Sequence, residues 1–118
     1  TMKVTHIYSL ANGNSAFEDL EIILADQGKF GFMSEPVNGP GLIFREMSST
    51  YDSGWHTVPQ SLYLVILEGQ VKISAGTGEV RHLGPGSVIF AEDISGNGHR
   101  TESASSNVIR SLLYKIDE

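Results

Sequence analysis

The chain contains no cysteine. Disulfides, thiol nucleophiles and cysteine-ligated metals are therefore excluded, and the absence fits an expectation of a cytoplasmic protein. No stretch approaches the roughly 18 apolar residues needed to span a bilayer, and the N-terminus lacks the basic-then-apolar layout of a secretory leader, so no membrane partner is expected. Basic residues are few, eight Lys and Arg against fourteen Asp and Glu. With a net charge of −6 and no basic cluster, nucleic acid has no electrostatic footprint to bind. Internal repeats, linkers and low-complexity tracts are also missing. The 118 residues suffice for one domain, taken as 2–118 with Thr1 left aside, burying roughly two thirds of its unfolded surface.

What is plentiful is glycine, thirteen residues that punctuate short apolar runs. Runs of this kind read as strands: KVTHIYSL, GLIFREM, LYLVIL, QVKISA, EVRHL, SVIFA and NVIRSLLYKI. The connectors NGPG, LEGQ, AGTG, LGPG and SGNG provide positive-φ positions for turns. Leu67-Glu68-Gly69-Gln70 reads as a hairpin turn, Ala75-Gly76-Thr77-Gly78 as the next, and Pro85 sits at a corner because it has no N–H for a ladder. The segment SAFEDLEIILADQG is ambiguous. Ser15 and Glu18 form a capping-box pattern, and Phe17, Leu20, Ile23 and Leu24 follow at near-helical spacing; local period favours a helix over 15–27, ending at Gly28.

Two further stretches resemble the motifs of the cupin superfamily, small jelly-roll β-barrels. The first cupin motif is G-x5-H-x-H-x3–4-E-x6-G. Counting back from Gly69, this chain reads His56-x-Val58-x3-Leu62-x6-Gly69, with Thr50 in the leading glycine position. The second motif is G-x5-P-x-G-x2-H-x3-N. Here Ile94-Ser95-Gly96-Asn97-Gly98-His99 keeps the glycine and the histidine, Ile94 replaces the proline and Ser103 the asparagine, and seven residues rather than five separate Gly86 from Ile94. The stretch AEDISGNGHRT is also similar to one in small stand-alone cupins. The resemblance covers about residues 40–115. It implies an all-β fold, a cupin-type jelly-roll barrel (double-stranded β-helix) with little or no helix, built from N-terminal strands over 2–35 and a barrel over 40–116. It also turns FEDLEIIL into a strand, against the local period.

The resemblance implies a site with half of its usual ligands missing. Cupins that catalyse hold Fe, Mn, Ni or Zn with three histidines and one glutamate, and Val58 and Leu62 offer no lone pair in two of those places. His56 and His99 remain as metal-ligand candidates if a divalent metal binds, with a third ligand to come from Glu46, Glu92, Asp93 or His82. Glu92 and Asp93, adjacent on an extended chain, point apart and do not form a metal pair. Strand alternation places Leu62, Leu64 and Ile66 on one face, taken as the interior, and Tyr63 outside. His99 and Thr101 share a face on a returning strand. Trp55 stands beside His56, at a pocket lip or packed away. Arg45 reads more readily as a salt-bridged surface residue than as an inward partner for a ligand carboxylate. His6 and His82 match no motif and read as surface or strand residues.

The expected ligand-binding set is therefore His56, Leu62, Leu64, His99, Thr101 and Arg45, with His56 facing His99 across a pocket closed by the barrel, and with His56 and His99 the candidates for any catalytic role. Three functions compete: a small-molecule binder acting as sensor or carrier; a metal-dependent oxygenase or isomerase rebuilt around His56 and His99; and a metal-free epimerase or lyase using histidine as acid and base. A homodimer is expected, with the N-terminal KVTHIYSL strand at an exposed sheet edge.

Overall fold

Residues 1–117 are described by a computed structural model. The strands are β1 (Met2–Ser9), β2 (Ser15–Ile22), β3 (Ala25–Asp26), β4 (Phe32–Met33), β5 (Gly41–Met47), β6 (Asp52–His56), β7 (Leu62–Glu68), β8 (Val71–Ser74), β9 (Val80–Leu83), β10 (Val88–Glu92), β11 (His99–Ser103) and β12 (Ile109–Lys115). A single 3₁₀ turn at Gly28–Phe30 is the only helical element among the described residues. One sheet has six strands in the order β2-β1-β10-β7-β12-β5, and a second has four in the order β6-β11-β8-β9; β3 and β4 form a separate ribbon. The two main sheets face each other around a jelly-roll core, and no ladder joins them among the described residues.

Period-two alternation decides what that core contains. Ile7 of β1, Ile89 and Ala91 of β10, Leu64 and Ile66 of β7 and Ile109 of β12 are buried on the inner face of the large sheet. Val71 and Ile73 of β8 meet them from the small sheet. The outer face carries a cross-strand row, Leu42↔Tyr114↔Tyr63↔Phe90↔His6 in register. Tyr63 stacks on Phe90 at 4.8 Å and Phe90 on His6 at 5.1 Å. Tyr63 thus lies outside the barrel, where burial, followed by the charge of Glu92, raises its phenol pKa.

Residues Ser15–Ile22 form a strand, as the resemblance implies and against the local period: the capping-box pattern does not start a helix, because both residues have distant partners. The Ser15 hydroxyl donates to the Gly98 carbonyl at 2.7 Å and accepts from the Gly76 N–H, while Glu18 pairs with His6 at 2.8 Å. His6 is a strand residue, as expected, and a buried one: it is 8% exposed and its second ring nitrogen meets Glu92 at 2.7 Å. Two expectations change. The N-terminal strand is not at an edge, since β1 runs parallel to β10 on one side and antiparallel to β2 on the other; β2 and β5 are the edges. Finally, Leu67–Gln70 is a corner and not a hairpin turn: β7 pairs with β10 and β12, whereas β8 pairs with β9 and β11. Gly69 at φ 88° lets the chain change sheets there. The Ala75–Gly78 turn does close a hairpin, β8 with β9.

Candidate functional site

β6 and β11 are antiparallel neighbours, and their register sets His99 directly opposite His56. The close approach depends on Gly98, which has φ 70° and would drive a Cβ into the backbone carbonyl of His56. At the next position Arg100 grips Asp52 with two hydrogen bonds, Nε to Oδ1 at 3.0 Å and Nη2 to Oδ2 at 2.6 Å, tying the two strands together on the exposed side. The guanidinium and the Gly54 N–H both favour the charged carboxylate, and Asp52 is held at a pKa of about 2.

The two imidazole centroids are 4.7 Å apart with their planes tilted by 55°. His56 and His99 therefore meet as cross-strand neighbours of one sheet, and not from opposite walls as a closing barrel would bring them. Their environments differ. His56 is exposed, and its Nδ1 lies 3.2 Å from the Gly54 carbonyl. His99 is 7% exposed, and its Nδ1 lies 2.6 Å from Oδ2 of Asp93, which has no exposed surface at all. With Asp93 ionised, Nδ1–H donates to the carboxylate, so a neutral His99 keeps its lone pair on Nε2. Asp93 Oδ1 has no hydrogen-bond partner among the described residues. A carboxylate buried this deeply is costly, and His99 receives its orientation from it.

Both histidines border a cavity of about 340 Å³ between the sheets. Every residue of the expected set lines it: His56, Leu62, Leu64, His99, Thr101 and Arg45. Val58 and Tyr51 line it as well, as does Lys115. Trp55 does not border this cavity; it is 51% exposed on a separate, open surface depression with His56. Arg45 corrects the surface reading. It is partly buried, its Nε donates to the Ser111 hydroxyl at 3.3 Å, and no carboxylate among the described residues pairs with it. Burial lowers its pKa, although a guanidinium stays charged.

Asp93, expected only as one of four possible third metal ligands, instead sits beside His99 Nδ1. Its signal was present in the alternation Ile89-in, Phe90-out, Ala91-in, Glu92-out, which carries one step further puts Asp93 inside. Glu92 accordingly turns outward to His6. The other proposed third ligands are elsewhere too: Glu46 pairs with Arg110 at 2.8 Å, and His82 is exposed on β9. Among the described residues no three of His, Asp and Glu come together to hold a metal ion. The metal-ligating nitrogens that border the cavity are those of two imidazoles, His99 keeping Nε2 while its Nδ1 faces Asp93, beside the aliphatic Val58 and Leu62. That set does not fit the four-ligand metal centre implied by the resemblance.

No family model matches the chain, and no curated protein matches it in sequence. Solved structures do match in shape. A cupin domain from Bordetella pertussis Tohama I superimposes over 65% of this chain and 80% of its own, with a TM-score of 0.51 and 15% identity. The fold is a cupin fold. The polyketide cyclase RemF from Streptomyces resistomycificus also matches, with a TM-score of 0.54 and 23% identity over 65% of this chain; the match spans 54% of the cyclase. A putative ethanolamine utilization protein from Salmonella typhimurium covers 98% of this chain and 95% of its own length at 13% identity, with a TM-score of 0.50. No helix of the described residues is long and apolar enough to cross a membrane.

Proposed function

We propose that this cupin binds a small organic molecule between its sheets, as a carrier or sensor would. The cavity carries this reading. Its wall is largely aliphatic with a few convergent polar groups, which is the usual make-up of a small-molecule site. Its volume of about 340 Å³ suits a compact ligand. The test fills the space without touching a polar group. Ala91 is 4% exposed and lines the cavity, so Ala91→Leu projects an isobutyl group into it. Small organic molecules that bind the unaltered protein in ligand-observed NMR are expected to lose binding to the variant; undiminished binding would place the ligand outside the barrel.

One observation favours a second reading, a metal-free acid–base enzyme of the epimerase or lyase type. Asp93 is fully buried and dedicated to His99 Nδ1. Such a pairing fixes tautomer and ring orientation, leaving Nε2 to take or return a proton at a substrate carbon. His56, 4.7 Å away, is placed to act as the complementary group. Incubation of bound ligands in D₂O is expected to exchange an activated C–H in the unaltered protein and not in His99→Gln. Exchange that persists in that variant would exclude His99 from the proton transfer.

We infer also that the cupin pairs with a second copy of itself along β5. That strand is a sheet edge, no strand of the described residues pairs with its outer side, and it exposes Phe44 at 79% and Leu42 at 49%. Two antiparallel β5 strands about a two-fold axis satisfy each other's edges and cover the same apolar side chains.

A further inference from the structure

We propose that the ligand of the cavity is an organic anion with an apolar body, and that Arg45 receives its carboxylate. The inference rests on the reading of the cavity as a ligand site and adds the chemical class of the occupant.

The argument begins with how this cupin treats its arginines. There are four, and three of them are matched by two carboxylates each. Arg81 holds Asp19 at 2.6 Å and Glu79 at 2.9 Å. Arg100 holds Asp52 at 2.6 Å and Glu102 at 3.5 Å. Arg110 holds Glu46 at 2.8 Å and Glu68 at 2.7 Å. Acids outnumber bases by fourteen to eight, so carboxylates are in surplus. Arg45 nevertheless has none among the described residues, and it is the arginine that borders the cavity. A guanidinium withdrawn from water without a counter-charge is unfavourable, and an anionic ligand is what would offset it.

Geometry agrees. The bond from Nε to Ser111 Oγ, 3.3 Å long to a serine that is 2% exposed, helps orient the guanidinium and leaves the two terminal nitrogens uncommitted among the described residues. Two parallel N–H groups on a planar fork match a carboxylate in bidentate fashion. A hydroxyl anchor alone would not require that fork. Among the described residues no aspartate or glutamate lines the cavity to repel an anion, and Lys115 adds a second cation to its wall.

Register then orients the ligand. Arg45 lies opposite Ser111, which lies opposite Ile66, whereas Lys115 lies opposite Leu62. Leu62 in turn lies opposite Ala91, two residues before Asp93. Four residues of strand, about 13 Å, thus separate the level of Arg45 from the level of Leu62, toward which the Asp93–His99 pair lies. Between them the wall is Leu64, Ile89 and Leu113. A carboxylate on Arg45 points the apolar body of its bearer toward the imidazoles.

The experiment compares acids with their uncharged amides on the full chain: benzoate with benzamide, cinnamate with cinnamamide, hexanoate with hexanamide. Affinities are read by ligand-observed NMR and by the shift in melting temperature. The expected result is that at least one acid binds tenfold or more tightly than its amide, that Arg45→Met removes this preference, and that Arg45→Lys retains only part of it. The melting temperature of the unliganded Arg45→Met protein is expected to equal or exceed that of the unaltered protein, since an uncompensated charge has been removed. Equal binding of acids and amides, or a preference for acids that survives Arg45→Met, overturns the anion while leaving the cavity as a ligand site. A fall of several degrees in the unliganded Arg45→Met protein overturns it as well, by giving Arg45 a structural role. Failure of every acid and amide to bind at millimolar concentration overturns both this inference and the ligand-site reading beneath it.

Discussion

Replacing His99 by alanine strands a carboxylate that has no exposed surface and whose other oxygen already lacks a partner. His99→Ala is therefore expected to destabilise the protein by about 2–4 kcal/mol in urea unfolding. His56 is exposed and loses little on truncation, so His56→Ala should stay within about 0.5 kcal/mol of the unaltered protein. The motif spacing treats the two histidines alike; burial separates them. Equal stabilities for the two variants would mean that the Asp93–His99 contact contributes nothing. Asp52 allows a pH test. Its carboxyl is lowered from 3.8 to about 2, first by the Arg100 hydrogen bond. A lowered folded-state pKa favours the folded state above the unfolded value, and that contribution is lost as pH falls through about 2. Carboxyl NMR titration should find the midpoint there, and Arg100→Gln should move it back toward 3.8. A midpoint unmoved by that substitution would leave the Gly54 N–H as its cause.

Strand pairing is what makes the histidines a unit. Gly98→Ala would force the β6–β11 ladder apart at the His56 carbonyl, from a φ of 70° that alanine adopts poorly. A loss of about 3 kcal/mol or more is expected, together with loss of the NMR contacts between the two imidazoles; retention of both would mean that the loop can move aside. The same pair of strands shows why apolar runs are an incomplete guide. DSGWH and HRTES contain little to bury and fall outside the list of apolar segments, yet they carry the site. Motif spacing, not hydropathy, marked His56 and His99. Alternation on β7 placed Leu62 and Leu64 on the cavity side, and Val58 joins them. Val58→His with Leu62→Glu should thus create divalent-metal binding that the unaltered set does not support. It should also lower metal-free stability, because an unpaired carboxylate is buried. A double variant with unchanged stability and no metal uptake, checked by calorimetry, would show that the introduced groups do not turn inward.

At the scale of the whole molecule, the apolar residues left outside the core point to self-association. Phe44 and Leu42 on β5 are joined by Phe32 at 66% and Phe30 at 73% exposure near the β3–β4 ribbon. Isolated exposed apolar residues are ordinary, but so many large ones call for a cover. Sedimentation at tens of micromolar is expected to give a dimer, and Phe44→Glu to give a folded monomer, because Phe44 packs on little within one chain. A monomer at that concentration for the unaltered protein would remove the β5 interface.

Composition and turn chemistry were enough to make this chain all-β, because glycine-bounded alternating runs have few other solutions. Motif spacing was enough to select His56 and His99. Only the tertiary structure decided which residues join them, since sheet order is a property of non-local pairing that no local window contains. Asp93 reaches His99 across a loop of five residues, but it is fully buried in a segment whose backbone bonds to Val58, far off in sequence. Ser15 and Glu18 look like a helix start until β1, β10 and the Gly98 loop are in place to take their hydrogen bonds. Arg45 reads as a surface cation until β12 sets Ser111 beside it and every other arginine has taken its carboxylates.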